Sequence, residues 1–549
     1  MTVRLPPIDA LLHVLREERV TTVFGNPGTT ELPLLDALAT APDLRYVLGT
    51  HEGSVMSMAD GYARATRRPA FVNLHVAAGL ANGMVGLLNA RRSHTPLVVT
   101  AGQQDRRHLA QDPMLAGDLV AMARPVVKEV FDVQHGFDLP LMLRRAFAAA
   151  VRPPAGPVFL SLPMDLLAED EPVVVSARSA TPELGVSPAV RQAAELLARA
   201  DRPAIVAGDG VGRGDAVAEL VTLAEACGAT VHHQPMFDGI DFPLAHPLYG
   251  GMLPATNAGI RAVLQDHDVV LVVGTHAFRP HHYTAAEAIP PSVTVIQLED
   301  CSETVGWTVP ADVAMVGDVR ATVEALAAAL AGRVPAAHDR IDRAARQADQ
   351  RRRVIESGAA AGHGLRPMPA LAAMHALAAG LPADAVVVEE AITSGLRLRD
   401  VLRLDRPGSY LHTVGGGLGF GIGAAIGHRM GAPDRPVVAV LGDGCAMFGL
   451  QGLWTAARHQ VPVVFAVMNN GEYRTLKETP SGRDGVVHQG RPGLDLGPPA
   501  LDFTVAARFF GVDAVRVLDP EELTSVIAKG AAGDAPLLVD VAIAGHRDA

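Results

Sequence analysis

Short apolar runs, each closed by a small or polar loop residue and followed by a helix-length stretch, recur along this chain. TTVFG (21–25), RYVLG (45–49), AFVNL (70–74), PLVVTAG (96–102) and PVFLSL (157–162) are the first five. A strand that reads as an unbroken apolar run is buried on both faces. That arrangement belongs to parallel sheets covered by helices on either side. Antiparallel sandwiches with one wet face would alternate instead. The loop residues fall at the carboxyl ends of these strands, where α/β sheets place their binding crevices.

The pattern repeats in two further blocks. AIVAG (204–208), VVLVVG (269–274) and VTVIQL (293–298) belong to the second. AVVVEE (385–390), VVAVLG (437–442), PVVFAVMN (462–469) and PLLVDVAI (536–543) belong to the third. The expected fold is therefore α/β, with three doubly wound parallel-sheet domains in series over 1–175, 186–335 and 366–549. Residues 165–187 carry charge, Pro and Ser without a period and read as a linker. The stretch DRIDRAARQADQRRRVIE (339–356) reads as a solvated linker helix.

Bulk properties narrow the classes. With 549 residues and 49% hydrophobic content the chain can build several cores, so disorder is excluded. A formal charge of −12 without long single-sign runs argues against nucleic acid or anionic membranes as partners. Cys227, Cys301 and Cys445 are far apart and lack metal or disulfide spacing, which fits a reducing, cytoplasmic compartment. No apolar stretch is long enough to span a bilayer, and the first twenty residues do not read as a signal peptide.

The strongest chemical signal lies in the third block. VVAVL runs straight into Gly442-Asp443-Gly444, and after 24 intervening residues another apolar strand ends in Asn469-Asn470-Gly471. A lone Gly-Asp-Gly is weak evidence. The chain supplies its own control in Gly208-Asp209-Gly210, which also follows a strand but lacks the Asn-Asn partner. The paired motif suits a diphosphate anchored through Mg²⁺, a cation that takes oxygen ligands and bridges to phosphates through few protein groups. Asp443 offers a carboxylate, Asn470 an amide oxygen and Glu472 a backbone carbonyl. Gly444 lets the main chain approach phosphates.

Gly442-Asp443-Gly444…Asn469-Asn470 resembles the thiamine diphosphate (ThDP) signature of the decarboxylase and acetolactate synthase superfamily. VFGNPGTTELP (23–33), THEGSVMSMADGYAR (50–64), NLHVAAGLANG (73–83), TPLVVTAGQQ (95–104), GPVFLSLP (156–163), VGGGLGFGIGAAIG (414–427) and LWTAARHQVP (453–462) resemble the benzoylformate decarboxylases, in the same order. The resemblance implies ThDP and Mg²⁺ as cofactors. It also implies non-oxidative decarboxylation of a small 2-oxo acid to an aldehyde through an enamine. Glu52 would protonate N1′ of the aminopyrimidine. Leu418 would hold the cofactor bent, and the Gly416 carbonyl would accept from its 4′-amine. His75 and His281 would exchange protons with the reacting carbon, and Thr29 would meet the substrate carboxylate. Asn82, Thr393, Gly444, Cys445 and Tyr473 complete the implied cofactor contacts. A carboxyl used as Glu52 would be is expected in an apolar, partly dry setting. The family also implies a homodimer or homotetramer with active sites between subunits.

Some positions depart from the family. His412 and Thr479 stand where aromatic-acid decarboxylases carry aromatic residues, and Cys445 replaces a serine. The stretch 474–493 is long and polar, and its Arg474, Lys477 and Arg483 lie either at the substrate mouth or on a solvated loop. A ThDP carboligase or lyase, forming or cleaving acyloins, would share every cofactor residue. A flavin or nicotinamide oxidoreductase using Gly208-Asp209-Gly210 lacks the acidic residue expected after the next strand. A non-catalytic scaffold would have lost Glu52 or the metal ligands, and the chain keeps both.

Overall fold

The computed structural model describes residues 3–275, 277–480 and 490–546. The chain forms two compact units, one of Met1–Thr181, Gly362–Arg397 and Gly415–Ala549, the other of Pro182–Ala361 and Leu398–Val414. The first and third sequence blocks thus share a unit. Three six-stranded sheets form the frame.

The first sheet uses β1 (Thr22–Gly25), β2 (Arg45–Leu48), β3 (Ala70–Leu74), β4 (Leu97–Gln103), β5 (Glu129–Asp132) and β6 (Val158–Pro163). Their order is β2-β1-β3-β4-β6-β5, every pairing parallel. The chain reverses its winding direction between β1 and β3, and a crevice opens outside the carboxyl ends of the strands at such a point. All residues of β3, β4 and β6 are buried, as their unbroken apolar runs require. β5 was not visible as a run: its residues Glu129-Val130-Phe131-Asp132 are half-buried or exposed at the sheet edge.

In the second unit, β7 (Pro203–Ala207), β8 (Thr230–His233), β9 (Tyr249–Met252), β10 (Val269–Val273), β11 (Thr294–Glu299) and β12 (Val313–Val316) take the order β9-β8-β7-β10-β11-β12. A 25-residue helix, Ala337–Ala361, covers the charged stretch, and only Ala359 on it is buried. In the third block, five strands of the six-stranded sheet, β13 (Val386–Glu390), β14 (Val437–Gly442), β15 (Val463–Asn469), β16 (Asp513–Val517) and β17 (Leu537–Ala542), run β13-β14-β15-β17-β16 with parallel pairings.

The presumed linker at 165–187 begins as structure. Met164–Leu167 is helical, and Val173–Val174 pairs antiparallel with Arg4–Leu5. Arg144 donates to the Ser176 carbonyl at 3.1 Å and pairs with Glu18 at 2.6 Å, so this strap is tied to the first sheet's helices. Two-residue strands carry too little pattern to be read from sequence.

Three helices position the site: α1 (Glu52–Thr66), α2 (Val76–Arg92) and α3 (Phe420–Gly431). α1 and α3 cross at backbone contact. A Cβ on Gly61 would overlap the Ala424 carbonyl, one on Gly427 the Met58 carbonyl, and one on Gly423 would lie 2.6 Å from Ser57 Cβ. Gly423 and Gly427 of GFGIGAAIG, with Gly61, are therefore what lets the two helices come together. Among the described residues no helix is long and apolar enough to cross a membrane. Gly61→Ala should destabilise the first unit by about 1–3 kcal/mol, the usual cost of overpacking. Urea denaturation checks this, and an unchanged midpoint would contradict the packing.

Candidate active site

Glu52 opens α1 directly after β2 and is 6% exposed. His51 caps the helix, its Nδ1 accepting from Gly53 N at 3.0 Å. The Glu52 carboxylate is held on both sides: Asn26 donates to Oε1 at 3.2 Å and Asn82 to Oε2 at 3.0 Å. The setting is buried, and carboxamides meet both carboxylate oxygens where an apolar, partly dry setting was expected. Two carboxamides orient the group and leave it on the crevice side of the sheet. Asn26 escaped the sequence reading although it lies in the Asn-Pro-Gly that ends β1.

His75 ends β3 and precedes α2. Its Nδ1 lies 2.8 Å from Glu31 Oε2 and 3.2 Å from Thr30 Oγ1. Glu31, 1% exposed, also accepts from Gly28 N at 2.8 Å and from Thr30 Oγ1 at 2.6 Å. Glu31 therefore gathers three donors after β1 and fixes the imidazole. A Cβ on Gly28 would overlap the His75 ring. Val76 takes φ +43, a strained conformation for a β-branched residue, and such strain concentrates at functional sites. Thr29 is exposed on the same turn, and the hydroxyl that reaches His75 belongs to Thr30. Glu31 was legible only as a charge three residues after a glycine, a capping pattern.

In the third block Asp443 follows β14 and is 4% exposed. Its Oδ1 accepts from Gly444 N at 2.7 Å, and its Oδ2 from Asn470 N at 3.0 Å and Gly471 N at 2.7 Å. Burial raises this carboxyl above the ordinary aspartate range despite those amides. Asn470 Oδ1 accepts from Glu472 N at 3.1 Å. The two asparagines divide labour: Asn469 Nδ2 instead braces Asp540 at 3.0 Å and the Leu501 carbonyl at 3.2 Å. Tyr473 covers Gly444 so closely that a Cβ would lie 2.5 Å from its ring. Thr393 shares a 2.6 Å hydroxyl contact with Thr475. Cys445 is buried, and burial beside Glu390 and Glu389 drives its thiol pKa upward.

These residues fit a metal-anchored diphosphate. A buried carboxylate and an amide oxygen, both hard donors, face one glycine-lined turn. Among the described residues no three His, Cys, Asp or Glu side chains cluster tightly enough to hold an ion. The internal control behaves differently. Asp209 turns inward to Gln234 and to Asp238 N at 2.8 Å, and Gly210 lies against the Gly274 backbone.

Of the polar stretch, Lys477 pairs with Glu472 and Asp495, and Arg474 with Glu478 at 2.6 Å and the Ala544 carbonyl at 2.9 Å. Their charges are answered locally. Arg483 lies outside the described residues. In the second unit His281 and His282 are exposed, with Nδ1 of one 3.0 Å from Nε2 of the other. His412 is buried in that unit, and the Thr479 hydroxyl donates to the Thr475 carbonyl at 2.7 Å.

Comparison with known proteins shows the family. Residues 8–122 match the thiamine pyrophosphate enzyme N-terminal TPP-binding domain, 190–326 the central domain and 393–541 the C-terminal TPP-binding domain. The class is therefore that of the thiamine pyrophosphate enzymes. Benzoylformate decarboxylase of Pseudomonas aeruginosa is 37% identical over 97% of this chain and 98% of its own length. The structure of Rhodococcus jostii ThDP-dependent 4-hydroxybenzoylformate decarboxylase superposes with a TM-score of 0.85 at 33% identity, covering 98% of this chain and 99% of that one. The large subunit of acetolactate synthase isozyme 3 of Escherichia coli is 29% identical over 95% of this chain and 91% of its own length. The chain belongs to the family of ThDP-dependent 2-oxo acid decarboxylases, the carboxy-lyases that include benzoylformate decarboxylase.

Replacing Glu31 with Ala strips the acceptor from three donors around His75. The expected cost is about 2–4 kcal/mol, because buried donors lose their partner outright. Thermal unfolding measures it, and a melt equal to wild type would show that Glu31 does not organise this corner.

Proposed function

We propose that this enzyme decarboxylates a benzoylformate-like 2-oxo acid to an aldehyde, using ThDP held through Mg²⁺. The observation that carries this reading is the Asp443 carboxylate brought against the Asn470–Glu472 turn, in a chain that also keeps a doubly held Glu52. Asp443, Asn470 and the Glu472 carbonyl would hold the metal. Gly444, Cys445, Thr393 and Tyr473 would surround the diphosphate. Gly416 and Leu418 would meet the aminopyrimidine, and Glu52, steadied by Asn82, would protonate its N1′. When bound, the thiazolium supplies the electron sink that no side chain offers.

The protein's own contribution is position and proton supply. Glu31 and Thr30 occupy Nδ1 of His75. Its Nε2 is then the nitrogen left to give or take a proton at the reacting carbon, and the fixed ring makes that transfer directional. His281 is the second proton carrier of this reading, and Thr29, exposed on its turn, is the hydroxyl offered to the substrate carboxylate. The family pattern supports a homodimer or dimer of dimers, with each cofactor between two subunits. Three unbridged cysteines support a cytoplasmic setting.

The second reading is a ThDP carboligase or lyase of acyloins. It is favoured by His412 and Thr479, which replace aromatic residues and suit a smaller or more polar substrate. A panel of 2-oxo acids with ThDP and Mg²⁺ separates the two. The decarboxylase reading predicts equal amounts of CO₂ and aldehyde from an aryl 2-oxo acid. Acyloin as the main product would overturn it.

The metal assignment makes a separate prediction. Asp443→Ala should reduce retained ThDP to a few per cent of wild type after gel filtration, because Mg²⁺ and diphosphate neutralise each other at that carboxylate. Normal cofactor content in the variant would remove Asp443 from the ligand set.

A further inference from the structure

We propose that Asn89 and Glu390 are positioning residues: they clamp the Gly415–Gly419 loop from two sides and set Gly416 and Leu418 for the aminopyrimidine. The inference rests on the cofactor reading above and extends it to two residues with no place in the signature motifs.

Asn89 lies on α2, its residue 2% exposed. Its Nδ2 donates to the Gly417 carbonyl at 2.9 Å, and its Oδ1 accepts from Gly417 N at 3.0 Å. One carboxamide thus takes both polar groups of a single loop residue, as a paired strand would. Such a contact fixes the direction of the peptide as well as its place. Gly415 and Gly417 permit the approach: a Cβ on Gly415 would lie 2.6 Å from Asn89 Cα, and one on Gly417 3.0 Å from Asn89 Oδ1.

Glu390 ends β13 and is 3% exposed. Its Oε1 accepts from Gly419 N at 2.7 Å and Phe420 N at 3.1 Å, and its Oε2 from Gly421 N at 2.7 Å. These amides begin α3 and have no acceptor within the helix, so a carboxylate placed there satisfies them and matches the helix dipole. Burial lifts the Glu390 pKa to about 7, against the pull of those amides. The loop also needs left-handed backbone at Gly416 (φ +76) and Gly419 (φ +94), which glycine adopts without strain.

The clamps fall at 417 and at 419–421. The loop between and before them stays uncovered, with Gly416 exposed and Leu418 half-buried. A loop of glycines would otherwise sample many conformations. Two buried side chains from different elements reduce it to one.

The test compares two probes, ThDP and inorganic diphosphate, each with Mg²⁺, by calorimetric titration of the full-length apoenzyme. Diphosphate needs the Asp443 turn with Gly444, Cys445, Thr393 and Tyr473, whereas ThDP also needs the clamped loop. Asn89→Ala and Glu390→Gln should each weaken ThDP by about tenfold or more, the effect of losing one or two buried hydrogen bonds. Both should leave diphosphate within about twofold. Glu390→Gln preserves volume and stands as an independent arm should Asn89→Ala fail to fold. Equal weakening of both probes, or no weakening of ThDP, overturns the clamp. If wild-type protein binds ThDP no tighter than diphosphate, the cofactor reading fails and takes the clamp with it.

Discussion

The backbone-close crossing of α1 and α3 is the contact on which the first unit depends. It joins segments more than 350 residues apart, and it exists because Gly61, Gly423 and Gly427 present no side chain at the contact. The same helices start at the loops that matter chemically. α1 begins with Glu52, and Gly419 caps α3. Ser57 links them, its hydroxyl donating to the Gly53 carbonyl at 2.9 Å and lying 3.4 Å from the Gly419 carbonyl. Outside these helices, Thr455 Oγ1 ties the third block to the first through the Leu48 carbonyl at 3.1 Å. Packing and site geometry are therefore one property here. A change that parts the helices also displaces both loop systems.

A second regularity concerns charge. Glu31, Glu52, Glu390 and Asp443 are all buried carboxylates at or just beyond the carboxyl ends of parallel strands. Isolated burial of a carboxylate is costly, and hydrogen bonds to its oxygens offset the cost. Each of the four takes those bonds from the turn or helix that follows a strand, or from asparagines aimed at it. Glu31 and Glu390 are used wholly inside the protein, where they order loops. Glu52 is held by two carboxamides, Asn26 and Asn82, among the described residues. Asp443 takes its hydrogen bonds from the backbone amides of Gly444, Asn470 and Gly471. The division between structural and chemical carboxylates follows from what each is bonded to.

The central strands were legible because burial on both faces writes an unbroken apolar run. Three edge strands were not: Glu129–Asp132 and Asp513–Val517 are only partly buried and mix charge with apolar residues, and Val313–Val316 is four residues long and buried only at alternate positions, whereas the edge strand Arg45–Leu48 was read. Thr230–His233 hid because two buried histidines interrupt its run. At the site, Glu52, His75, Asp443 and Asn470 stood out because motif and strand end coincided. Their partners did not. Glu31 meets His75 across 44 residues and Asn89 meets Gly417 across 328, and nothing local in a single sequence announces either pairing. Glu390 was concealed differently, as the last letters of an apolar run, AVVVEE. The Gly-rich stretch 415–427 holds two features at once, a left-handed loop and a helix contact surface.

The central claim is that Glu52 serves the cofactor's proton chemistry and not its retention. The most direct measurement is hydrogen–deuterium exchange at C2 of bound ThDP, followed by NMR after dilution into D₂O, in wild type and Glu52→Gln. The amide fills the same volume and can still donate a hydrogen bond, so ThDP should remain bound. Exchange should slow by a factor of about 10²–10⁴, the contribution of a positioned proton-transfer group, and turnover should fall in parallel. Exchange as fast as wild type in the variant, with cofactor still bound, would contradict the account.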